Sequence, residues 1–337
     1  MALPASGTIT LAQIQTEFGG SNPIGLNEYY RNGAYVTPNN TSVPTSGAIT
    51  LSNFYNAVRQ FEYTISSNQQ QLTINNTWLT GVGWDGSSPV IININSGIYI
   101  WSDSTSVGGL TIATPITLNN NGYIMGRGGN GGAYWGNGGN GGPALVSSTS
   151  GITVNNNSGA FIAGGGGGGA SGYCNDRDGK TAESAGGGGG AGGGVGGHGW
   201  SNGNGGGGGA IGQAGGNGDS ETYITIAYGG GAGGGGGGQY LYYEGGGGGG
   251  GRILPGSGGN GGHRDVVDTG GDGGSAGNIP STPWAGSQET SSGGGGGWGA
   301  RGAYAGANSK TPGNGGAAIS GTSVTLNNSG TVYGSVS

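Results

Sequence analysis

Glycine dominates the chain between Gly126 and Gly316, in an amount that a packed core cannot use. Many of the 95 glycines stand in blocks such as Gly164–Gly169 and Gly186–Gly190, and short, dissimilar inserts rich in Tyr, Trp, Asn and charged residues separate the blocks. A tract of this kind can be a flexible linker, a collagen triple helix or a bundle of extended glycine helices. These three structures make different predictions.

A collagen triple helix does not fit the glycine spacing. Collagen needs glycine at every third position and abundant proline. Here the local unit is Gly-Gly-Asn-Gly-Gly, as at Gly128–Gly132 and Gly138–Gly142, and the chain has only 11 prolines. A solvated linker is the default for glycine-rich sequence, but linkers seldom carry large aromatic residues between regular blocks. We therefore expect polyproline-II-like helices with about three residues per turn and a rise of about 3.1 Å per residue.

A bundle of such helices explains why glycine is required. An isolated helix of this type has no internal hydrogen bonds, so its backbone groups must pair with neighbouring helices. Glycine lets the backbones approach closely because it lacks a Cβ atom. Ordering each residue costs about 1–2 kcal/mol of backbone entropy, so we expect flanking sequence to supply a supporting wall.

Composition excludes several classes of protein. With 31% hydrophobic residues, 7% charged residues and a net charge of −6, the chain has neither a large ordinary core nor the basic surface that nucleic acids require. A single cysteine, Cys174, allows no intrachain disulfide. The first residues do not have the pattern of a signal peptide, and no apolar run reaches the roughly 20 residues of a membrane span. We expect the chain to be made in a cytoplasm.

Residues 1–60 contain an internal repeat. Pro4-Ala-Ser-Gly-Thr-Ile-Thr-Leu-Ala-Gln-Ile14 returns as Pro44-Thr-Ser-Gly-Ala-Ile-Thr-Leu-Ser-Asn-Phe54. In both copies an extended piece is expected to lead into a short amphipathic helix capped by Thr10 or Thr50, and a third short helix is expected near Tyr29. We predict an attachment module whose side chains form a small core and docking region: Ile9, Leu11, Ile14, Phe18, Tyr29, Tyr30, Phe54 and Tyr55.

Residues 61–125 change to strand patterns and start a second repeat. Ile116-Thr-Leu-Asn-Asn-Asn-Gly-Tyr-Ile124 resembles segments that begin at Ile92, Ile152 and Val324. A strand, an Asn-rich turn with Gly and another strand are typical of hairpins or of solenoid coils stacked on one another. The last copy follows the glycine tract, so residues 319–337 are predicted to close the chain by packing with the earlier repeats. This β-rich region is the expected wall.

Motifs for catalysis or cofactor binding are weak. Gly-x-Gly-x-x-Gly recurs by chance in a chain this rich in glycine and lacks its βαβ context. His198 and His263 have no metal-ligand spacing, and the acidic residues lie in separate inserts, so a paired-carboxylate glycosidase is not expected. We predict no enzymatic activity, no metal and no cofactor; an ice-binding protein and a depolymerase remain minor alternatives.

Aromatic residues in the inserts are the strongest functional signal. Tyr and Trp on loops held by a rigid frame are typical of recognition surfaces. Trp135, Trp200 and Trp298, each beside glycine, are instead expected to cap the bundle. If successive glycine runs are antiparallel, inserts alternate between the two ends of the bundle, and the sequence does not say which end is exposed.

Glycine blocks that alternate with variable aromatic inserts resemble the tip adhesins of tailed-bacteriophage long tail fibres. The resemblance covers about residues 126–318, and Gly7-Thr-Ile-Thr-Leu-Ala-Gln-Ile-Gln-Thr-Glu-Phe-Gly-Gly-Ser-Asn-Pro-Ile24 is similar to an attachment piece of phage tail proteins. In those adhesins polyglycine-II helices form a sandwich whose distal loops bind a host outer-membrane protein. The familiar adhesins attach through a different N-terminal domain.

The predicted architecture is mostly β and irregular, with an attachment module at 1–60, a β-rich domain at 61–125, a polyglycine-II bundle at 126–318 and closing strands at 319–337. The predicted function is a virion tail receptor-binding protein that recognises a host outer-membrane protein or surface glycan and binds other virion tail proteins through residues 1–60, as one copy or three. The alternative is a structural tail or capsid decoration protein. The predicted receptor-binding residues are Tyr173, Tyr240, Tyr242, Tyr243, Glu244, His263, Arg264, Trp284 and Tyr304.

Overall fold

A computed structural model of the chain describes residues 3–37, 40–174, 183–199, 204–218, 239–240, 247–260, 271–280, 290–305 and 310–337. The chain is mostly strand and irregular backbone with few helices, as predicted. It divides into two compact units: the first comprises residues 1–64 and 76–93, and the second comprises residues 65–75 and 94–337.

The first unit is built on the internal repeat. Helix α1 (Leu11–Phe18) starts at Thr10, whose hydroxyl accepts from the Gln13 N–H at 3.2 Å while the Gln13 side chain accepts from the Thr10 N–H at 2.8 Å. The second copy is only a 3-10 turn, Leu51–Phe54, although Asn53 accepts from the Thr50 N–H in the same way at 2.8 Å. The expected helix ends here because Tyr55 already has an extended ψ of 133°, and Asn56 then adopts a left-handed φ of 58°. A second 3-10 turn, Leu26–Glu28, replaces the third expected helix.

The core of the first unit consists of the apolar residues that the repeat brings together. Phe54 contacts both Phe18 and Tyr29 edge to face, with ring centroids 6.2 and 6.3 Å apart. The same cluster contains the buried residues Leu3, Ile9, Ile14, Val36, Val43 and Ala57. Helix α2 (Asn76–Gly81) and strands β1 (Phe61–Ile65) and β4 (Val90–Ile94), which are neighbours in one sheet, belong mainly to this unit.

Asp85 gives the first unit a predicted sensitivity to acid. Its carboxylate accepts from the Ser88 hydroxyl at 2.5 Å and from the N–H groups of Ser88 and Ser87 at 2.8 and 2.9 Å, and it lies 3.2 Å from the Arg59 guanidinium. Burial alone would raise its pKa, but these hydrogen bonds and the Arg59 charge lower the pKa from 3.8 to about 2. A depressed carboxyl pKa stabilises the fold above about pH 4, and this contribution is lost as the pH falls toward 2.

Asp85→Asn should therefore remove part of the pH dependence of the first unit. We expect amide exchange of residues 84–88 to accelerate between about pH 4 and pH 2 in the wild type, and to change less over that window in the variant. Peptide-level hydrogen exchange, corrected for the intrinsic effect of pH, measures this. Parallel profiles for the two proteins would contradict the assigned role of Asp85.

The second unit contains a stack of parallel strands on three sheets. One sheet has the order β7-β10-β17, formed by Thr117–Asn120, Thr153–Asn156 and Thr325–Asn328. The next has the order β2-β5-β8-β11-β18, formed by Gln69–Gln70, Tyr99–Trp101, Tyr123–Met125, Phe161–Ala163 and Thr331–Tyr333. The third has the order β3-β6-β9-β16, formed by Leu72–Ile74, Leu110–Ile112, Leu145–Ser147 and Ile319–Gly321. Between the two structures that the repeat allowed, parallel pairing favours stacked coils over hairpins.

The Asn-rich turns explain why the repeats stack in register. Thr117, Thr153 and Thr325 are aligned on neighbouring strands. Asn120 donates to the Asn156 side chain at 2.8 Å, and Asn156 donates to Asn328 at 2.8 Å. Asn120 and Asn156 are fully buried, so each amide has to be paired inside the stack. The amide ladder makes one register much more favourable than its neighbours.

The glycine segments leave the stack after β8 and after β11 and return at β9 and β16. Within the segment Gly164–Ala170, the hydrogen-bond partner changes with a period of three residues. Gly165 and Gly168 donate to the carbonyls of Gly142 and Gly139, Gly166 and Gly169 to those of Ala191 and Gly188, and Gly167 and Ala170 to those of Ala300 and Ala303, at 2.8–3.1 Å. The backbone is thus paired with neighbouring segments on several sides, outside any helix or sheet.

Candidate functional site

The glycine segments that begin at Gly126 and Gly164 each have one end against the strand stack. At one end their backbones pair with the stack: the N–H of Gly126 donates to Ala163 at 2.9 Å, and that of Gly164 donates to Tyr333 at 2.9 Å. At the other end Ser171 donates to Gly136 at 3.2 Å, Gly187 to Gly132 at 2.9 Å, and Gly138 to Thr311 at 2.9 Å. We call this second end, defined by Gly132–Gly138, Ser171, Gly187, Ala303 and Thr311, the distal end.

Four short strands belong to the distal end. Strand β12 (Gly172–Cys174) follows Ser171 and pairs antiparallel with β13 (Glu183–Ala185). Strand β14 (Gln239–Tyr240) pairs antiparallel with β15 (Thr290–Ser291), and β15 contacts both β12 and β13. The two antiparallel strand pairs therefore lie side by side, although their strands come from distant parts of the sequence.

The predicted receptor-binding residues fall into three groups. Tyr173 lies in β12 and Tyr240 lies in β14, so the structure brings their backbones to the same end of the glycine segments. Tyr304 lies directly after Ala303 and is 38% exposed. The remaining predicted residues lie outside the described residues: Tyr242, Tyr243, Glu244, His263, Arg264 and Trp284. As contacts with a receptor, all nine stay predictions.

Tyr304 is held by a neighbouring cation. The Arg301 guanidinium lies 4.7 Å from the centre of the Tyr304 ring, and one of its nitrogens donates to the Tyr304 hydroxyl at 3.0 Å. Both side chains retain solvent exposure. An ordered tyrosine presents apolar area at a low cost in conformational entropy, which suits a recognition surface.

Tyr134 is a second exposed aromatic residue at the distal end, and it is absent from the predicted set. The residue is 56% exposed, and its ring lies parallel to the His198 ring, with centroids 6.2 Å apart. Tyr134 and Trp135 both have left-handed φ values, 44° and 67°, a conformation that costs free energy in residues other than glycine. The sequence signal for Tyr134 is the pair Tyr134-Trp135 between two glycine blocks.

The opposite end of the glycine segments is attached to the strand stack by buried side chains. Trp298 is fully buried, in one cluster with Met125, Ala163 and Ala191, and its indole N–H donates to the Ile253 carbonyl at 2.9 Å. This burial agrees with its predicted role as a cap. Trp200 lies outside the described residues.

A charged cluster accompanies this attachment. The buried Arg252 side chain pairs with Asp103 and donates to the Gly192 carbonyl at 3.1 Å, and Arg127 donates to the Gly193 carbonyl. Burial, followed by the nearby Arg252 charge, lowers the pKa of Arg127. Arg252 therefore pairs with the Asp103 carboxylate, and both guanidinium groups bind backbone carbonyls of Gly192 or Gly193, an arrangement that fixes the glycine segments.

The predicted attachment residues lie mainly inside the first unit. Ile9, Ile14, Phe18, Tyr29 and Phe54 are buried in its core, and Leu11 and Tyr55 pack against that core. Tyr30 is half-buried, with its hydroxyl donating to the Gly47 carbonyl at 2.5 Å. These side chains can shape a docking surface by supporting it; direct contact with a partner stays a prediction.

The described residues show neither a metal cluster nor a membrane-spanning helix. They contain no group of three His, Cys, Asp or Glu side chains that could hold a metal ion. A helix long and apolar enough to cross a bilayer is likewise not found among them. An open cavity of about 470 Å³ lies in the first unit beside Tyr35, Arg59, Phe61 and Asp85, but the Asp85 carboxylate is already paired with Arg59 and two serines.

Comparison with known proteins identifies the family. A family model described as phage tail fibre adhesin Gp38 matches residues 60–232. One similar solved structure is the crystal structure of the gp37-gp38 adhesin tip complex of the bacteriophage S16 long tail fibre, with a TM-score of 0.46 and 23% sequence identity over 87% of this chain and 88% of that chain. A search of curated protein sequences found no match. Because the family model spans more than half of the sequence, the chain belongs to the Gp38 family of phage tail fibre adhesins.

Proposed function

We propose that this tail adhesin binds a host outer-membrane protein or surface glycan through loops at the distal end of a polyglycine-II bundle. The observation that carries the proposal is the period of three in the hydrogen bonds of Gly164–Ala170. A polyproline-II-type helix has about three residues per turn. Successive N–H groups of such a helix point to three sides, so each side can pair with a different neighbour.

Close packing of the backbones supports the same proposal. A methyl group added at Gly165, Gly167 or Gly168 would overlap a backbone carbonyl of a neighbouring segment. Asparagines in the Gly-Gly-Asn-Gly-Gly units add side-chain links: Asn130 accepts from the Val195 N–H at 3.1 Å, and Asn140 accepts from the Asn314 N–H at 2.8 Å. Rods paired in this way are stiff enough to hold loops away from the strand stack. At about 3.1 Å per residue, a six-residue segment extends roughly 19 Å.

The distal end has the residue types that recognition requires. Exposed Tyr134 and Tyr304 flank the region where β12 and β14 carry Tyr173 and Tyr240. Aromatic loops on a rigid frame are common in binding surfaces. We propose that the predicted loop residues complete this surface, without enzymatic activity, and that residues 1–60 attach the adhesin to other virion tail proteins in one copy or three.

The test is adsorption of phage that carry altered loops. Simultaneous Tyr240→Ala, Tyr242→Ala and Tyr243→Ala substitutions should reduce the rate of adsorption to host cells at least about 100-fold, because aromatic anchors commonly contribute 2 kcal/mol or more each. Particle yield and the amount of adhesin per particle should not change. Adsorption is measured as loss of free phage over time.

Ile279→Ser is the matched control. Ile279 is 56% exposed and follows Asn278, which pairs with the segments near Trp298 rather than with the distal end. This substitution should leave adsorption unchanged. If the triple variant and variants of every other insert adsorb normally, receptor binding by the loops is wrong, and the alternative role as a structural tail or decoration protein is favoured.

A further inference from the structure

The last coil of the strand stack has an open edge. Within the described residues β17 has a strand neighbour on one side only, the strand β10. Leu118 and Val154, which occupy the equivalent position in the inner strands, are fully buried, whereas Leu326 in β17 is half-exposed. Thr325, Asn327 and Asn328 are exposed. Strand β17 therefore carries the same kind of side chains as the inner strands, but within the described residues no further coil packs against it.

The edge also lacks the usual protection against pairing. Exposed edge strands are commonly blocked by charged residues, proline or bulges. Residues 322–333 contain no charged residue and no proline. By contrast, the chain itself covers part of the third sheet, since Val336 pairs with Ile319 and the Ser337 N–H donates to the Ile319 carbonyl at 3.2 Å.

The asparagine ladders specify what would fit this edge. Each inner amide nitrogen donates both to the Asn side chain and to a backbone carbonyl of the next coil: Asn120 to Asn156 and Phe161, then Asn156 to Asn328 and Thr331. The orientation is fixed because the Asn120 side-chain oxygen accepts from the Gly122 N–H at 3.1 Å. At the end of this ladder the Asn328 oxygen accepts from Asn156, and among the described residues its nitrogen has no hydrogen-bond partner and is left as a donor.

The neighbouring ladder runs in the opposite direction. Asn327 donates to Asn155 at 2.8 Å, and Asn155 donates to Asn119 at 2.7 Å. At the β17 end of this ladder, the group without a hydrogen-bond partner among the described residues is therefore the Asn327 side-chain oxygen, which is an acceptor. The open edge offers one amide donor and one amide acceptor at adjacent positions, together with the outer side of β17, the side opposite β10.

The geometry points to a docking site for an uncharged β-strand of another virion protein, laid parallel to β17 and carrying Asn or Gln in register with Asn327 and Asn328. A parallel strand of this kind would continue both ladders. A second copy related by two-fold symmetry brings identical edges together in antiparallel orientation, which does not continue the ladders. This site is separate from the loops of the distal end.

The test is photo-crosslinking in intact phage particles. A benzophenone amino acid replaces the exposed Thr325, and a control carries it at Val107, which is 40% exposed in the loop between β5 and β6. We expect the probe at position 325 to crosslink to a different virion chain, at a peptide that is uncharged and contains Asn or Gln. A yield no higher than at position 107, or an adduct with a second copy of this chain, would overturn the proposal.

Asn328→Asp tests the role of the ladder. The substitution keeps the acceptor for Asn156 but replaces the outward donor with a charged oxygen, so the crosslinking yield should fall about tenfold. Asn140→Asp makes the same change where the oxygen already accepts from Asn314, and should leave the yield unchanged. Ser329→Lys, at an exposed position of the same turn, blocks the edge without altering the ladder amides. If both edge variants have the wild-type melting temperature and the wild-type yield, the proposal is wrong.

Discussion

Gly168→Ala is expected to destabilise the second unit strongly. The added methyl group would overlap the carbonyl of Asn130 and approach Gly131, both of which are backbone atoms of a paired segment. Backbone cannot move aside as a flexible side chain can, and Gly168 also donates to Gly139 at 2.8 Å and accepts from Gly313 at 2.8 Å. We expect a loss of about 3 kcal/mol, which corresponds to a fall in melting temperature of about 6–12 °C.

Gly207→Ala is the control for this prediction. Gly207 lies in a glycine block too, but a methyl group there would meet nothing within 4 Å. Alanine restricts the unfolded chain more than glycine does, so stability should stay the same or rise by up to about 1 kcal/mol. Differential scanning calorimetry of the two variants makes the comparison. Equal melting temperatures would show that the glycines are not required for close approach of the backbones.

Trp298→Ala is expected to weaken the attachment of the glycine segments to the strand stack. Trp298 is among the largest fully buried side chains, and it contacts both strand residues and glycine-segment residues. Replacing a buried Trp with Ala commonly costs about 3–5 kcal/mol. The loss includes the hydrogen bond from the indole to Ile253. Urea denaturation, followed by circular dichroism, should give a correspondingly lower midpoint.

Two further variants show how much of the stability lost in Trp298→Ala comes from the loss of buried packing. Trp298→Phe keeps most of the apolar volume but loses the indole hydrogen bond, so its stability should lie between that of the wild type and that of Trp298→Ala. Tyr134→Ala removes an aromatic ring of similar size from an exposed position and should change the free energy of unfolding by less than about 0.5 kcal/mol. An equal effect of the Trp298 and Tyr134 substitutions would contradict the proposed attachment.

The sequence predicts those features that depend on a repeated local pattern. The Asn-Asn turns predict repeated strands, either as hairpins or as stacked coils. The structure forms coils, and their amide ladder has the same residue at the same place in each coil, as at Asn120, Asn156 and Asn328. The core of the first unit follows from the repeat around Ile14 and Phe54 for a similar reason. In the ladder and in the core alike, the chemistry of each side chain selects the residue that it packs against or hydrogen-bonds to.

Other features depend on information that glycine does not carry. The partner of a glycine segment cannot be predicted, because Gly165 and Gly167 are chemically identical and yet donate to different segments. For this reason the sequence could not say which inserts share the distal end. The exposure of Tyr134 cannot be predicted from the sequence, because it depends on the left-handed turn that Tyr134 makes with Trp135, a conformation that their side chains disfavour.

Amide hydrogen exchange across Gly164–Ala170 tests the central claim most directly. If each of these residues is hydrogen-bonded to a neighbouring segment, as in the structure, every amide in this stretch should be protected by about 1,000-fold or more over a free glycine-rich peptide, because opening requires disruption of the bundle. Exchange at the rate of the free peptide would contradict the account, because loosely held glycine segments could not support a binding surface.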